Sequence, residues 1–138
     1  MKVHGKTITV NTRGFSDIVN LGTEVQSVVS DSGADDGLVT VTVIGSTASV
    51  TTMEYEPALV EDMRELLEKL VPRNIPSRHS ETWGDDNGFS HMRASLMGPG
   101  ITLPVADGRV LTGTWQQIVL VDHDNRPRRR EVRIQVLG

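Results

Sequence analysis

The last third of the chain sets the tightest limit on its fold. Residues 101–105 read as a strand, Asp107-Gly108 is a two-residue hairpin signal, and residues 109–112 return. Residues 115–121 read as another strand. After the turn Asp124-Asn125-Arg126-Pro127, Val132, Ile134 and Val136 alternate with polar neighbours. Strands joined by turns this short pair antiparallel, because a parallel crossover needs about a dozen residues or more. A doubly wound parallel sheet, with its regular strand–helix alternation, is therefore excluded.

The rest of the chain fits that frame. Residues 2–12 alternate, with Val3, Ile8 and Val10 between polar residues, until Gly14 and Ser16 break the pattern. Asn20 is placed to cap a helix whose stripe is Val25, Val28 and Val29, and Gly33 ends it. Residues 38–44 are a dense β-branched run suited to a central strand, and residues 48–53 resume it after Gly45-Ser46-Thr47. Glu56-Pro57 opens the strongest helix, with Leu59, Met63, Leu66, Leu67 and Leu70 at helical spacing until Pro72; these leucines are expected in the core. Residues 72–90 read as a long polar connection, and residues 91–97 as a short helix closed by Gly98. The expected fold is α+β: an antiparallel β-sandwich with two main helices and one short one to one side, in a single domain over residues 1–138.

Composition removes several function classes. Without cysteine there is no disulfide, no thiolate zinc site and no cysteine nucleophile. A net charge of -4 is the wrong sign for a nucleic-acid binder, so no nucleic-acid partner is expected. No apolar run approaches the roughly 20 residues that span a bilayer, and no apolar stretch follows the first residues, so a cytoplasmic protein without a membrane partner is expected. The basic cluster from Arg126 to Arg130 reads as a charged hairpin end that protects a sheet edge, with anion binding as the alternative.

Residues 79–97 concentrate the chemistry. His79 and His91, two of the four histidines, bracket acidic residues, the amide of Asn87 and two glycines. Such a group can hold a metal or a phosphate, or move protons, since imidazole changes charge near neutral pH. The two histidines are too far apart for one helix face and meet only if the loop folds back. The alternative is that His91 caps or packs at its helix while His79 is solvated. Glu54 and Glu56, if both extended, share a face where they can bind a cation, although Glu56 also suits a helix cap. Gly45-Ser46-Thr47 can present backbone N–H groups and hydroxyls to a phosphate. Asp122-His123-Asp124 reads as a solvated turn rather than a dyad, and Trp115 as core or interface.

Several runs carry a resemblance over nearly the whole chain, in order. They are Gly45-Ser-Thr-Ala-Ser-Val-Thr51, Glu54 with Glu56-Pro57, and Ser90-His91-Met-Arg-Ala-Ser-Leu-Met-Gly98. Leu103-Pro-Val105, Gly108-Arg109 and Gly113-Thr-Trp-Gln116-Gln-Ile118 follow. With these the chain resembles the YjbQ-type family, secondary thiamine-phosphate synthase. The resemblance implies a homotrimer with a pocket near subunit boundaries. It also implies a site of His79, His91 and Glu54, with the two histidines as ligands of a divalent metal ion. The implied reaction joins a pyrimidine diphosphate to a thiazole phosphate and releases pyrophosphate. Glu54, Glu56, Asp85 and Asp86 are candidates to hold the cation, while Ser46, Thr47, Asn87 and Arg93 are candidates for the phosphate. Gly45 departs from the pattern, since many relatives have a histidine there. Two other functions fit the same residues: metal-assisted hydrolysis of a small phosphorylated substrate, and non-catalytic ligand binding by a trimer.

Overall fold

The computed structural model describes residues 1–138 as eight strands and four helices. The strands are β1 (Val3–Thr12), β2 (Asp17–Asn20), β3 (Gly37–Val43), β4 (Ala48–Met53), β5 (Gly100–Ala106), β6 (Arg109–Val110), β7 (Gln117–Asp122) and β8 (Arg128–Leu137). They form a five-stranded sheet in the order β1-β8-β3-β5-β6 and a three-stranded sheet in the order β2-β7-β4. Every pairing is antiparallel, as the short turns require.

The two sheets share one core. Val39, Val41 and Val43 of β3 and Val132, Ile134 and Val136 of β8 supply the large sheet's inner face. Ala48 and Val50 of β4 and Ile118 and Leu120 of β7 supply the small sheet's. Helix α1 (Gly22–Ser32) adds Val25, Val28 and Val29 to the same core. The other face of the small sheet, Ile18, Val119 and Val121, is covered by α2 (Pro57–Leu70) through Val60, Met63 and Leu67, and by Met97 of α4 (Gly88–Met97). Strand β7 is thus buried on both faces, which is why residues 118–121 read as an unbroken apolar run. Each fully buried aliphatic chain here is worth about 1.5–3 kcal/mol relative to exposure.

Away from the site, the structure departs from the sequence expectations in four places. Helix α3 (Arg78–Trp83) lies inside the expected polar connection; Ser77 Oγ accepts from Ser80 N at its start and Gly84, at φ 69°, ends it. It buries no residue, so no apolar stripe announced it. The short strand β2 follows Gly14 and Ser16, where a simple break was expected. In α2 only Leu67 is buried, while Leu66 and Leu70 are 46% and 64% exposed, so they are not core in the single chain. Trp115 is 71% exposed and precedes β7, so the core reading of it fails.

The hairpin between β5 and β6 follows its sequence signal. Ala106 pairs with Arg109, and the two turn residues have positive φ, 50° at Asp107 and 71° at Gly108. That is the type I′ arrangement, which matches the twist of the flanking strands. The Gln26 side chain of α1 fastens it, donating to Gly108 O at 2.9 Å and accepting from Val110 N at 3.0 Å. Replacing Gly108 by Val forces a β-branched residue to positive φ, and a loss of about 1 kcal/mol or more is expected. Chemical denaturation of the two proteins checks this; an unchanged midpoint would refute it.

Candidate functional site

Helices α3 and α4 are joined by a tight turn in which Gly84 and Asp86 both take positive φ. The turn folds α3 back on α4 and brings the rings of His79 and His91 to a centroid distance of 4.5 Å with a 50° tilt. Both residues are half-buried. His79 Nδ1 makes no hydrogen bond and lies 3.5 Å from Asp85 Oδ1. His91 borders an apolar recess of about 440 Å³ with Val71, Ile75, Met92 and Leu96. A polar cleft of about 490 Å³ runs beside α3, lined by Arg73, Asn74, Ser77, Ser80, Glu81 and Asp86 among others. Two touching imidazoles next to a carboxylate can take up, hold and release a proton.

The remaining expected residues do not all join them. Glu54 is exposed just beyond β4, and Glu56 turns back to cap α2, accepting from Ala58 N at 3.0 Å and Leu59 N at 2.7 Å. No three His, Asp or Glu side chains converge closely enough to hold an ion, so His79, His91 and Glu54 do not form a metal centre in one subunit. Ser46 is exposed and free to meet solvent. Thr47 is buried: its hydroxyl donates to Asp124 Oδ2 at 3.0 Å and accepts from Arg130 Nη2 at 2.7 Å. Arg93, expected to meet a phosphate, is turned inward instead and is 2% exposed. Its guanidinium is spent on Val71 O, Glu68 Oε2 and Ser16 Oγ, which tie α4 to α2 and to the start of β2. Asn87 is also buried, at the start of α4.

The Asp122-His123-Asp124 segment is not the solvated turn that its composition suggests, for all three residues are fully buried. Asp122 receives Arg130 on both oxygens, at 2.7 and 2.8 Å, and Thr12 Oγ1 at 2.5 Å. Asp124 receives Arg128 Nε at 2.8 Å, Thr47 Oγ1, Asn125 N and Asn87 Nδ2. Burial alone would raise the Asp124 pKa, but those hydrogen bonds hold it below the usual carboxylate range. The basic cluster therefore does not simply fringe a sheet edge, because Arg128 and Arg130 reach inward. A signal for this was present: Arg128 and Arg130 share the parity of Val132, Ile134 and Val136, which face the core.

His123 lies at the centre of this group, with its Nε2 and Ser49 Oγ hydrogen-bonded at 3.0 Å. Burial pushes its pKa down to about 4, Arg93 and Arg130 push the same way, and Asp122 opposes them. The ring is neutral in the folded protein at neutral pH.

The antiparallel α+β sandwich is one that known proteins share. A model of UPF0047 protein YjbQ-like sequences matches residues 6–138. The chain belongs to the YjbQ-like UPF0047 family. A UPF0047 protein of Methanothermobacter thermautotrophicus is 32% identical over all of this chain and 94% of its own length. One of Synechocystis is 33% identical over 98% of this chain and 92% of its own length. Among solved structures, a YbjQ-like protein of unknown function from Sulfolobus solfataricus superposes with a TM-score of 0.93 at 30% identity, covering 99% of this chain and 98% of that one. A hypothetical protein from Aeropyrum pernix gives 0.90 at 32% identity, over 100% and 99% of the two chains.

The buried histidine has a pH signature. Unfolded, His123 takes up a proton below its ordinary value of 6.5; folded, it resists protonation down to about 4. The His123 contribution to stability is therefore complete above pH 6.5, is lost as pH drops through that window, and changes no further below about 4. The loss amounts to about 3 kcal/mol. Replacing His123 by Gln should flatten that stretch of the stability–pH curve in urea titrations. A wild-type curve that is level between those limits would refute it.

Proposed function

We propose that this chain is a phosphate-handling transferase of the secondary thiamine-phosphate synthase type, acting as a homotrimer. The observation that carries the reading is the contact between His79 and His91 beside Asp85, next to a polar cleft. The sequence runs shared with the family support it. In this reaction the ring nitrogen of the thiazole phosphate attacks the methylene carbon of the pyrimidine diphosphate. The carbon–oxygen bond to the diphosphate breaks, and pyrophosphate leaves with the bonding electron pair. The imidazole pair's task is to deliver a proton to the leaving oxygen, and Arg73 and Ser77 in the cleft offer donors to phosphate oxygens. A divalent ion, when bound, would offset the charge of the leaving diphosphate.

The trimer reading rests on apolar surface. Met63, Leu66, Leu67, Leu70, Leu96 and Met97 line a recess of about 200 Å³ between α2 and α4, and Leu70 and Leu96 are 64% and 76% exposed. Surface of this kind, clustered, suits contact with another subunit. Light scattering is expected to give three times the 15.1 kDa chain mass, and Leu70→Glu with Leu96→Glu to give monomers. A wild-type monomer at micromolar concentration would overturn it.

A second reading is favoured by the inward turn of Thr47 and Arg93, which leaves fewer groups to stabilise a departing diphosphate. It is a trimeric protein that binds a small ligand without turnover. The two readings separate in a strain lacking thiamine-phosphate synthase. The transferase should restore growth without thiamine, and His79→Ala with His91→Ala should abolish rescue while leaving the melting midpoint near wild type. Binding of the thiazole phosphate without rescue would establish the second reading and refute the first.

A further inference from the structure

We propose that Trp115 of one subunit docks into the apolar recess beside His91 of the next, so that the imidazole pair gains one of its walls only when chains assemble. The inference rests on the homotrimer reading and names the contact such a trimer needs. Away from its three-fold axis, a closed ring of three joins unlike patches: what one subunit presents, its neighbour receives. The receiving surface runs along α2 and α4. There the recess of Leu66, Leu70 and Met97 adjoins that of Ile75, His91 and Met92, since Val71 and Leu96 line both. The presented surface has to lie among the other exposed large apolar side chains. Of these, Val3 and Leu38 flank Leu137 on the large sheet, and Phe15 carries Arg73 over its ring. Leu111, Trp115 and Tyr55 form the group that combines aromatic with aliphatic surface. Leu111 and Trp115 share one loop, and Tyr55 N donates to Gln117 Oε1 at its end, at 2.8 Å.

The loop that carries the indole is set in advance. Gln116 N donates to Gly113 O at 3.0 Å, Gly113 N to Gln116 Oε1 at 2.9 Å, and Gln116 Nε2 to Thr52 Oγ1 at 3.1 Å. These bonds fasten residues 113–116 to β4, so an indole that is 71% exposed gives up little freedom when it docks. The recess beside His91 has room for it, at about 440 Å³. Val71, Ile75, Met92 and Leu96 supply apolar walls. Ser95 and His91 are its polar groups, and either can accept from the indole N–H, which needs a partner once buried. No carboxylate, lysine or arginine lines this recess, so no such charge loses its water there; the cleft beside α3, with Arg73, Glu81 and Asp86, offers no such place. Docked in the recess, the indole meets the His91 side of the imidazole pair, and each site takes one wall from its neighbour.

The chain holds two tryptophans, and Trp83→Phe leaves Trp115 as the reporter. In the trimer its emission should lie at shorter wavelength, and acrylamide should quench it less, than in the Leu70→Glu, Leu96→Glu monomer. Trp115→Ala should weaken association by about thirtyfold or more, as the loss of an anchoring tryptophan does, with the far-ultraviolet spectrum unchanged. The chain has no cysteine of its own, so Thr114→Cys combined with Ser95→Cys, both at exposed positions, tests where the indole goes. A short bismaleimide should join the double variant into covalent trimers and leave each single variant as separate chains. A trimer whose Trp115 is quenched as freely as in the monomer, or whose paired cysteines join no chains, overturns the docking and leaves the homotrimer reading standing. A wild-type monomer overturns both.

Discussion

The buried pairing of Asp122 and Asp124 with Arg128 and Arg130 is the interaction on which the rest of the structure hangs. Arg130 meets Asp122 through two nitrogens, a fork geometry that an ammonium cannot reproduce. Charges this deep are tolerable only when every one is answered, and removing one partner from such a group costs about 3–5 kcal/mol. Here they are answered from all sides: Thr12 from the end of β1, Thr47 from the loop before β4, Arg128 and Arg130 from β8, and Asn87 from α4. The cluster fixes the relative position of both sheets at the end where β7 passes into β8.

The candidate site is built outward from that cluster. The α3–α4 turn has little apolar packing of its own; Asp85 and Asp86 are exposed and α3 buries nothing. It is held by two asparagines instead. Asn87 reaches Asp124, and Asn125 Nδ2 donates to Asp85 O at 2.9 Å. The position of His79 against His91 therefore depends on a hairpin loop far away in sequence. A substitution at Asn125 would act on the site without touching either imidazole.

Much of the fold was legible in the chain because strands and amphipathic helices write their periodicity directly. Alternation in β8, the apolar run of β7, the Asp107-Gly108 turn and the capping of α2 by Glu56 all rest on local chemistry. Three things were not legible, each for a physical reason. Helix α3 is stabilised by its two caps and a turn, so a search for apolar stripes passes over it. Leu66 and Leu70 have the same spacing as Leu67, and a helical wheel cannot say how far the covered stripe extends. The burial of Asp122, His123 and Asp124 needs a partner across the hairpin, and composition marks such residues as solvated whenever parity is ignored. The meeting of His79 and His91, by contrast, was expected from the resemblance if the loop folds back, and it is the left-handed residues Gly84 and Asp86 that reverse the chain and bring it about.

Gly45 shows how the buried cluster and the site constrain each other. The resemblance implies a histidine at this position in many relatives, whereas here a Cβ would already stand 3.1 Å from Arg130 Nη1. Any side chain at 45 must therefore displace the guanidinium by a few tenths of an ångström, or be accepted by it. With glycine, Arg130 keeps its place over Asp122 and Thr47, and the loop contributes backbone and the exposed Ser46 hydroxyl in place of an imidazole. The one close imidazole pair of this chain lies at the α3–α4 turn, and residue 45 adds no third ring to it. Because Arg130 also holds Asp124 indirectly, through Thr47, a bulky residue at 45 would be felt at Asn87 and so at the α3–α4 turn. The glycine and the asparagine are two ends of one chain of contacts, joined through the buried charges between them.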